Sequence, residues 1–218
     1  VPTILIADDH PLFRDALRGA VARALPGAEL LEADSVPTLL TLAEAHPDAD
    51  LLLLDLNMPG AQGFSALVHL RASFPSLPVV VVSAHEEPGI VRRALGHGAA
   101  GYIPKSSSLE AIVEALSAVL EGETWLPPGM DMEAEDLERD EADLARRIGE
   151  LTPQQFRVLG MLSTGLLNKQ IAWELGVSEA TIKAHMTAIL RKLGASNRMQ
   201  AVLLAGKLSV AEQQSPGT

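Results

Sequence analysis

Five short apolar segments alternate with helix-length stretches over about the first 120 residues, and this alternation constrains the fold more than any other feature of the chain. Residues 3–7 read as a first strand. Residues 11–25 follow as a helix, with apolar side chains at 12, 13, 16, 17, 20, 21 and 24. Strands are expected at 28–33, 51–54, 79–82 and 100–103, and helices at 38–45, 64–73, 88–97 and 109–121. The segment 51–54 is Leu throughout, as befits a central strand buried on both faces. Short loops, including Pro59-Gly60, leave each strand-to-strand crossover to a helix, so the sheet should be parallel and covered on both sides.

Composition narrows the chemistry. Of 218 residues, 47% are hydrophobic but only 3% aromatic, so the cores must be aliphatic. Without cysteine, disulfides, thiolate catalysis and Cys-ligated zinc are excluded. The opening VPTILIADDH lacks the basic stretch and the long apolar run of a secretory leader. The other apolar runs are far shorter than a membrane span, and a soluble cytoplasmic protein is expected.

A net charge of −11 speaks against nucleic-acid binding until it is divided along the chain. Residues 1–128 carry 16 acidic and 7 basic side chains, a net of −9, and residues 129–150 carry 9 and 3, a net of −6. Residues 151–218 carry 3 and 7, a net of +4. A basic module tethered to an acidic one suits a nucleic-acid partner for the basic part alone. The expected organisation is an α/β domain at 1–121, an acidic interdomain linker at 122–149, an all-α domain at 150–210 and a disordered tail at 211–218. The linker contains Gly122, Pro127, Pro128 and Gly129, then an acidic run from Asp131 to Asp143 with helix-forming residues, so it is expected to be partly helical.

Ligands of such sheets bind at the carboxyl ends of the strands. Asp8 and Asp9 follow the first strand, Asp55 the third, Ser83 the fourth and Lys105 the fifth. Any one of these alone is an ordinary turn, cap or surface residue. Together they place three carboxylates, a hydroxyl and an ammonium on one rim. Clustered carboxylates repel unless a cation sits among them, and hard oxygen ligands on an open edge suit Mg²⁺ with a phosphate oxygen. Lys105 and Ser83 would supply the charge and hydrogen bond that a phosphoryl group needs.

On ILIADDHPLFRDAL, LLLLDLNMPGAQGF, VVVVSAH and GAAGYIPKSS, residues 1–121 resemble the flavodoxin-like (βα)5 receiver domains of two-component response regulators. The resemblance implies that Asp55 accepts the phosphoryl group. It also implies that Asp9, Asp55 and the Asn57 carbonyl hold Mg²⁺, with Asp8 acting mainly through water. Ser83 and Tyr102 would form a switch pair; the alternative for Tyr102 is an edge-strand aromatic packed on the fourth helix. One departure is Ser106 after Lys105, where receivers commonly have proline with a cis peptide; a cis bond before Ser would cost about 2.5–4 kcal/mol, so that geometry stays open.

From Leu151 the pattern is helical only, with helices expected at 153–164, 168–175, 179–193 and 197–207. Thr152-Pro153 is an N-cap followed by Pro at the first helical position, Gly176 offers a left-handed exit, and Ser178 an N-cap. In the longest helix, Ile182, Met186, Ile189, Leu190 and Leu193 share one face; Ala180, Ala184, Thr187 and Arg191 share the other, with Lys183 at its edge. Small residues flanked by cations suit a helix lying in the major groove, although basic amphipathic helices also simply face solvent.

Through GLLNKQIAWELGVSEATIKAH and RKLGASNRMQA, this segment resembles the LuxR-type helix-turn-helix of the NarL/FixJ subfamily. The resemblance implies base-facing positions for Lys183, Ala184 and Thr187, and phosphate or groove-edge contacts for Lys169, Thr181, Arg191, Lys192 and Arg198. His185 is assigned either to phosphate or to helix packing, and Trp173 to a core or interhelix anchor. Gln154-Gln155 replace the usual Arg-Glu, so an ion pair at that helix end is expected to be missing. Thr187 stands where a basic residue is common. The final helix resembles a dimerisation helix, implying a homodimer on two half-sites of double-stranded DNA.

The combined expectation is a transcriptional response regulator that is not an enzyme beyond its own phosphoryl transfer and dephosphorylation. A histidine kinase would phosphorylate it, and RNA polymerase is a further partner to consider. Phosphorylation would expose the recognition helix, promote dimers, or both, and the acidic linker would shield the basic domain at rest. Competing classes are an aspartyl-phosphate phosphohydrolase, a metabolite-switched regulator and a receiver working through protein contacts alone.

Overall fold

The structure, a computed structural model, describes residues 1–130 and 139–210. The expected tail at 211–218 and most of the acidic run lie outside them. Five strands, β1 (Thr3–Ala7), β2 (Glu29–Ala33), β3 (Leu51–Asp55), β4 (Val79–Ser83) and β5 (Gly101–Pro104), form one parallel sheet in the order β2-β1-β3-β4-β5. Helices α1 (Pro11–Ala24), α2 (Val36–Ala45), α3 (Ser65–Ser73), α4 (Pro88–Gly96) and α5 (Leu109–Leu120) connect and follow them. The alternation read from the sequence is therefore the observed one.

Two apolar layers flank the sheet. Leu52, Leu54, Val79, Val81 and Tyr102 face one layer, while Ile4, Ile6, Leu53, Val80, Val82 and Ile103 face the other, packing with Leu17 of α1 and Leu116 of α5. Leu51 to Leu54 are fully buried, and each contributes about 1.5–3 kcal/mol relative to exposure. Adjacent leucines serve opposite layers, which is why the run has no polar alternation. The chain order reverses between β1 and β3, and a crevice opens there at the strands' carboxyl ends.

After the acidic segment, α6 (Arg139–Gly149) leads into α7 (Pro153–Ser163), α8 (Asn168–Leu175), α9 (Glu179–Leu193) and α10 (Arg198–Gly206). Of the expected linker, Arg139–Gly149 form α6. Its Leu144 and Ile148 are buried, continuous with an apolar layer that joins the α/β unit to the helical one. Thr152 caps α7 in a reciprocal box with Gln155, Ser178 caps α9 through the Thr181 amide, and Gly176 ends α8 at φ 65°. Among the described residues no helix is long and apolar enough to cross a membrane.

Candidate acidic site and nucleic-acid interface

Strand register assembles the acidic rim. Ala7 pairs with Leu54, so Asp8 and Asp55 leave adjacent strands at one level, and both are buried. Lys105 reaches back from the end of β5: its Nζ lies 2.7 Å from Asp8 Oδ2 and 2.8 Å from Asp55 Oδ2. Burial would lower the Lys105 pKa, but hydrogen bonds and charge from Asp55 and Asp8 outweigh it, and the net shift is upward. Lys105 is thus a fixed cation. Its Nζ also sits 4.9 Å from the centre of the Phe13 ring.

Asp8, Asp9, His10 and Asp55 present ligand atoms all within 4.8 Å of one another. Three carboxylates against one ammonium leave an excess of about two negative charges, which a divalent cation would neutralise. The donor set therefore fits Mg²⁺. The Asn57 amide donates to Asp55 Oδ1 at 3.1 Å, turning the chain just after the carboxylate.

Ser83 is buried at the end of β4, and its Oγ accepts from the His85 amide at 3.2 Å. Tyr102 is fully buried, and its hydroxyl donates to the His85 carbonyl at 2.7 Å. Burial pushes the phenol up to about 12, with smaller effects from Ser83, Glu87, Asp55 and Glu86. Tyr102 is therefore an inward-facing ring tied to the loop that follows Ser83. The Lys105 amide donates to the Ser83 carbonyl at 2.7 Å, and the Lys105-Ser106 peptide is trans, answering the question left open by the missing proline.

In the helical unit, Lys183, Ala184, Thr187 and Arg191 of α9 are exposed, while Ile182, Met186, Ile189 and Leu193 are buried. Lys169 is exposed as well. Thr181 and His185 are half-buried, and Thr181 Oγ1 is 2.9 Å from Ser178 Oγ within the cap. Two expected phosphate contacts are engaged internally: Lys192 Nζ donates to the Glu150 carbonyl and to Gln155 Oε1, both at 2.8 Å, and Arg198 donates to the Leu166 carbonyl. Gln155 thereby accepts from a cation where an ion pair was expected to be missing.

Trp173 requires a correction. It is 84% exposed and anchors no core. Ile171 and Ala172 take the inward positions of α8, and residue 173 is turned about 100° beyond them.

The domains touch through contacts the sequence did not announce. The Gly60 carbonyl in the β3–α3 loop lies so close to Gly160 of α7 that a Cβ there would overlap it, and the Phe64 amide donates to the Leu208 carbonyl at 2.8 Å. Glu141 of α6 lies 2.7 Å from His97 Nε2 and 3.0 Å from Arg93 Nη2, both on the α4 side of the α/β unit. Burial raises the Glu141 carboxyl, but bonds from His97 and Arg93 outweigh this and hold it below the usual carboxylate range.

Residues 4–117 match the response regulator receiver domain, and residues 149–205 match the bacterial regulatory proteins of the luxR family. The chain belongs to the NarL/FixJ-type two-component response regulators. It is 42% identical over 217 residues to a glycerol metabolism activator of Pseudomonas putida, covering 94% of this chain and 95% of that one. It is 36% identical over 204 residues to the nitrate/nitrite response regulator protein NarL of Escherichia coli K12, covering 92% and 93%. RcsB from Salmonella enterica serovar Typhimurium, solved bound to promoter P1flhDC in the presence of phosphomimetic BeF3-, aligns over 95% of this chain and 99% of its own at 25% identity and TM-score 0.55. The receiver domain of a putative NarL from Mycobacterium tuberculosis aligns over 56% of this chain and 98% of its own at 36% identity and TM-score 0.51. This response regulator is a DNA-binding transcription regulator; its family implies a kinase partner and DNA.

Proposed function

We propose that this response regulator is switched by phosphorylation of Asp55 and then binds two DNA half-sites as a homodimer. The observation that carries the reading is Lys105 Nζ held between Asp8 and Asp55, beside Asp9. In the proposed step, an Asp55 carboxylate oxygen attacks the phosphorus of a kinase phosphohistidine. The new O–P bond forms as the N–P bond to histidine breaks. Lys105 and Ser83 meet the transferred oxygens with a positive charge and a hydroxyl donor. Asp9, Asp55 and the Asn57 carbonyl would hold Mg²⁺, with Asp8 acting through water, and the ion would neutralise phosphoryl charge when bound. Movement of Ser83 toward the phosphoryl group would be read by Tyr102 through the shared loop at His85.

Lys183, Ala184 and Thr187 are proposed to face bases, and Lys169, Thr181 and Arg191 to meet phosphates or the groove edge. Lys192 and Arg198 would do so only after exchanging their internal partners. The receiver does not bury the base-facing side of α9, so uncovering those side chains is not what phosphorylation needs to achieve. The receiver holds instead the segment just after α10, through Phe64 and Leu208. Release of that segment for pairing between copies is the favoured control. Glu141 faces the receiver, and Asp143 pairs with Arg146 and Arg147 of its own helix, so these two linker carboxylates do not shield α9. A cytoplasmic location follows from the proposed partners, and contact with RNA polymerase is reserved for promoter-bound dimers.

The test is intact mass after incubation with Mg²⁺ and a small phosphodonor. One phosphoryl adduct on wild type and none on Asp55→Asn is expected; an adduct on both would move the acceptor elsewhere.

A further inference from the structure

The acidic rim contains one group that the phosphoryl-transfer reading leaves without a task. His10 is the N-cap residue of α1, with Pro11 next to it fixing the backbone. Its own amide donates to Asp8 Oδ1 at 2.8 Å, which folds the residue back over the carboxylates. The ring Nδ1 consequently lies 2.8 Å from Asp9 Oδ1, 3.3 Å from Asp8 Oδ1 and 3.9 Å from Asp55 Oδ2. The side chain is 64% exposed and stands at the open edge of the rim.

Those spacings are informative. Octahedral ions with bonds of about 2.1 Å separate neighbouring ligand atoms by about 3.0 Å and opposite ones by about 4.2 Å. Nδ1 is close to neighbour spacing from Asp9 and close to opposite spacing from Asp55. An imidazole among carboxylates changes which ion is preferred. Mg²⁺ gains little from nitrogen, whereas affinity for nitrogen donors rises from Mn²⁺ through Co²⁺ toward Zn²⁺.

We propose that His10 is a metal ligand that extends the receiver site from oxygen-bound Mg²⁺ to nitrogen-seeking divalent ions of the Mn²⁺–Zn²⁺ series. This rests on reading the rim as a metal site, and the test separates the two. Mg²⁺ and Mn²⁺ affinities are measured by calorimetry on the full chain without phosphodonor, in wild type and His10→Asn. Asparagine retains an N-cap but has no imidazole. Nitrogen coupling to bound Mn²⁺ is read by electron spin echo modulation on the same samples. The expected result is a Mn²⁺ affinity about tenfold weaker in the variant, the scale of changes close to a metal, with Mg²⁺ affinity within about twofold. The nitrogen signal should be present in wild type and lost in the variant. Normal Mg²⁺ binding with an unchanged affinity ratio or no nitrogen signal overturns the role of His10 alone. Absence of divalent-ion binding in wild type overturns the metal site as well.

Discussion

The ring of His69 on α3 lies parallel to that of Phe156 on α7, their centroids 4.3 Å apart. A receiver histidine is thereby buried against the DNA-binding domain, and domain docking should be sensitive to acid. Burial pulls the His69 pKa down to about 4 from 6.5, against a smaller upward pull from the Ile148 backbone. The docked state therefore favours the neutral ring. Its stabilisation is complete above 6.5 and is lost progressively as the pH falls from 6.5 toward 4. Across that span the difference is about 3 kcal/mol. Small-angle scattering should show the wild type expanding between pH 7.5 and pH 5 while His69→Leu stays compact; equal expansion of both would remove His69 as the cause.

Gly160→Ala should open the same interface without damaging the helix that carries it. In an isolated helix, alanine is favoured over glycine by about 1 kcal/mol. Here the added Cβ meets the Gly60 carbonyl, which is backbone and cannot rotate away. A larger radius of gyration and tighter DNA binding by the unphosphorylated protein are expected. An unchanged radius would show that the loop yields instead.

Lys105→Met should weaken the receiver itself. Asp8 and Asp55 would remain buried side by side without their shared ammonium. Removing one member of a buried ion cluster costs on the order of 3 kcal/mol, and a divalent cation should recover part of that. Thermal melts with and without Mg²⁺ check this: the variant should melt lower and gain more from the ion than wild type. Phosphorylation of Asp55 should slow in parallel.

Lys183→Ala should reduce operator affinity about tenfold, the lower range expected for a base-reading side chain, and make the salt dependence shallower. Lys183 is exposed and, among the described residues, its ammonium pairs with Glu179 one turn away, at 3.4 Å, so melting temperature and phosphorylation should not change. Titrations at two salt concentrations separate these effects; full operator affinity in the variant would mean that α9 docks differently.

Much of this was legible because the signals are local. Helix α2 begins at Val36, two residues before the sequence expectation, because Pro37 is tolerated in a first turn where its missing amide has no partner to lose. Trp173 faces outward because Ile171 and Ala172 beside it take the inward positions of α8, and residue type alone does not reveal this. His10 stood directly after Asp8-Asp9, and adjacency alone could have marked it as a site residue.

Chain order, apolar periodicity and strand-end chemistry determined the parallel sheet, the helix-turn-helix and the rim where Asp8, Asp9, Asp55 and Lys105 meet. They did so because pleat, helical repeat and capping act between residues near one another in sequence. Tertiary structure alone decided that His69 stacks on Phe156, that Lys192 and Arg198 turn inward, and that Gly60 admits Gly160. Each joins elements far apart in the chain, and only packing determines which surfaces meet.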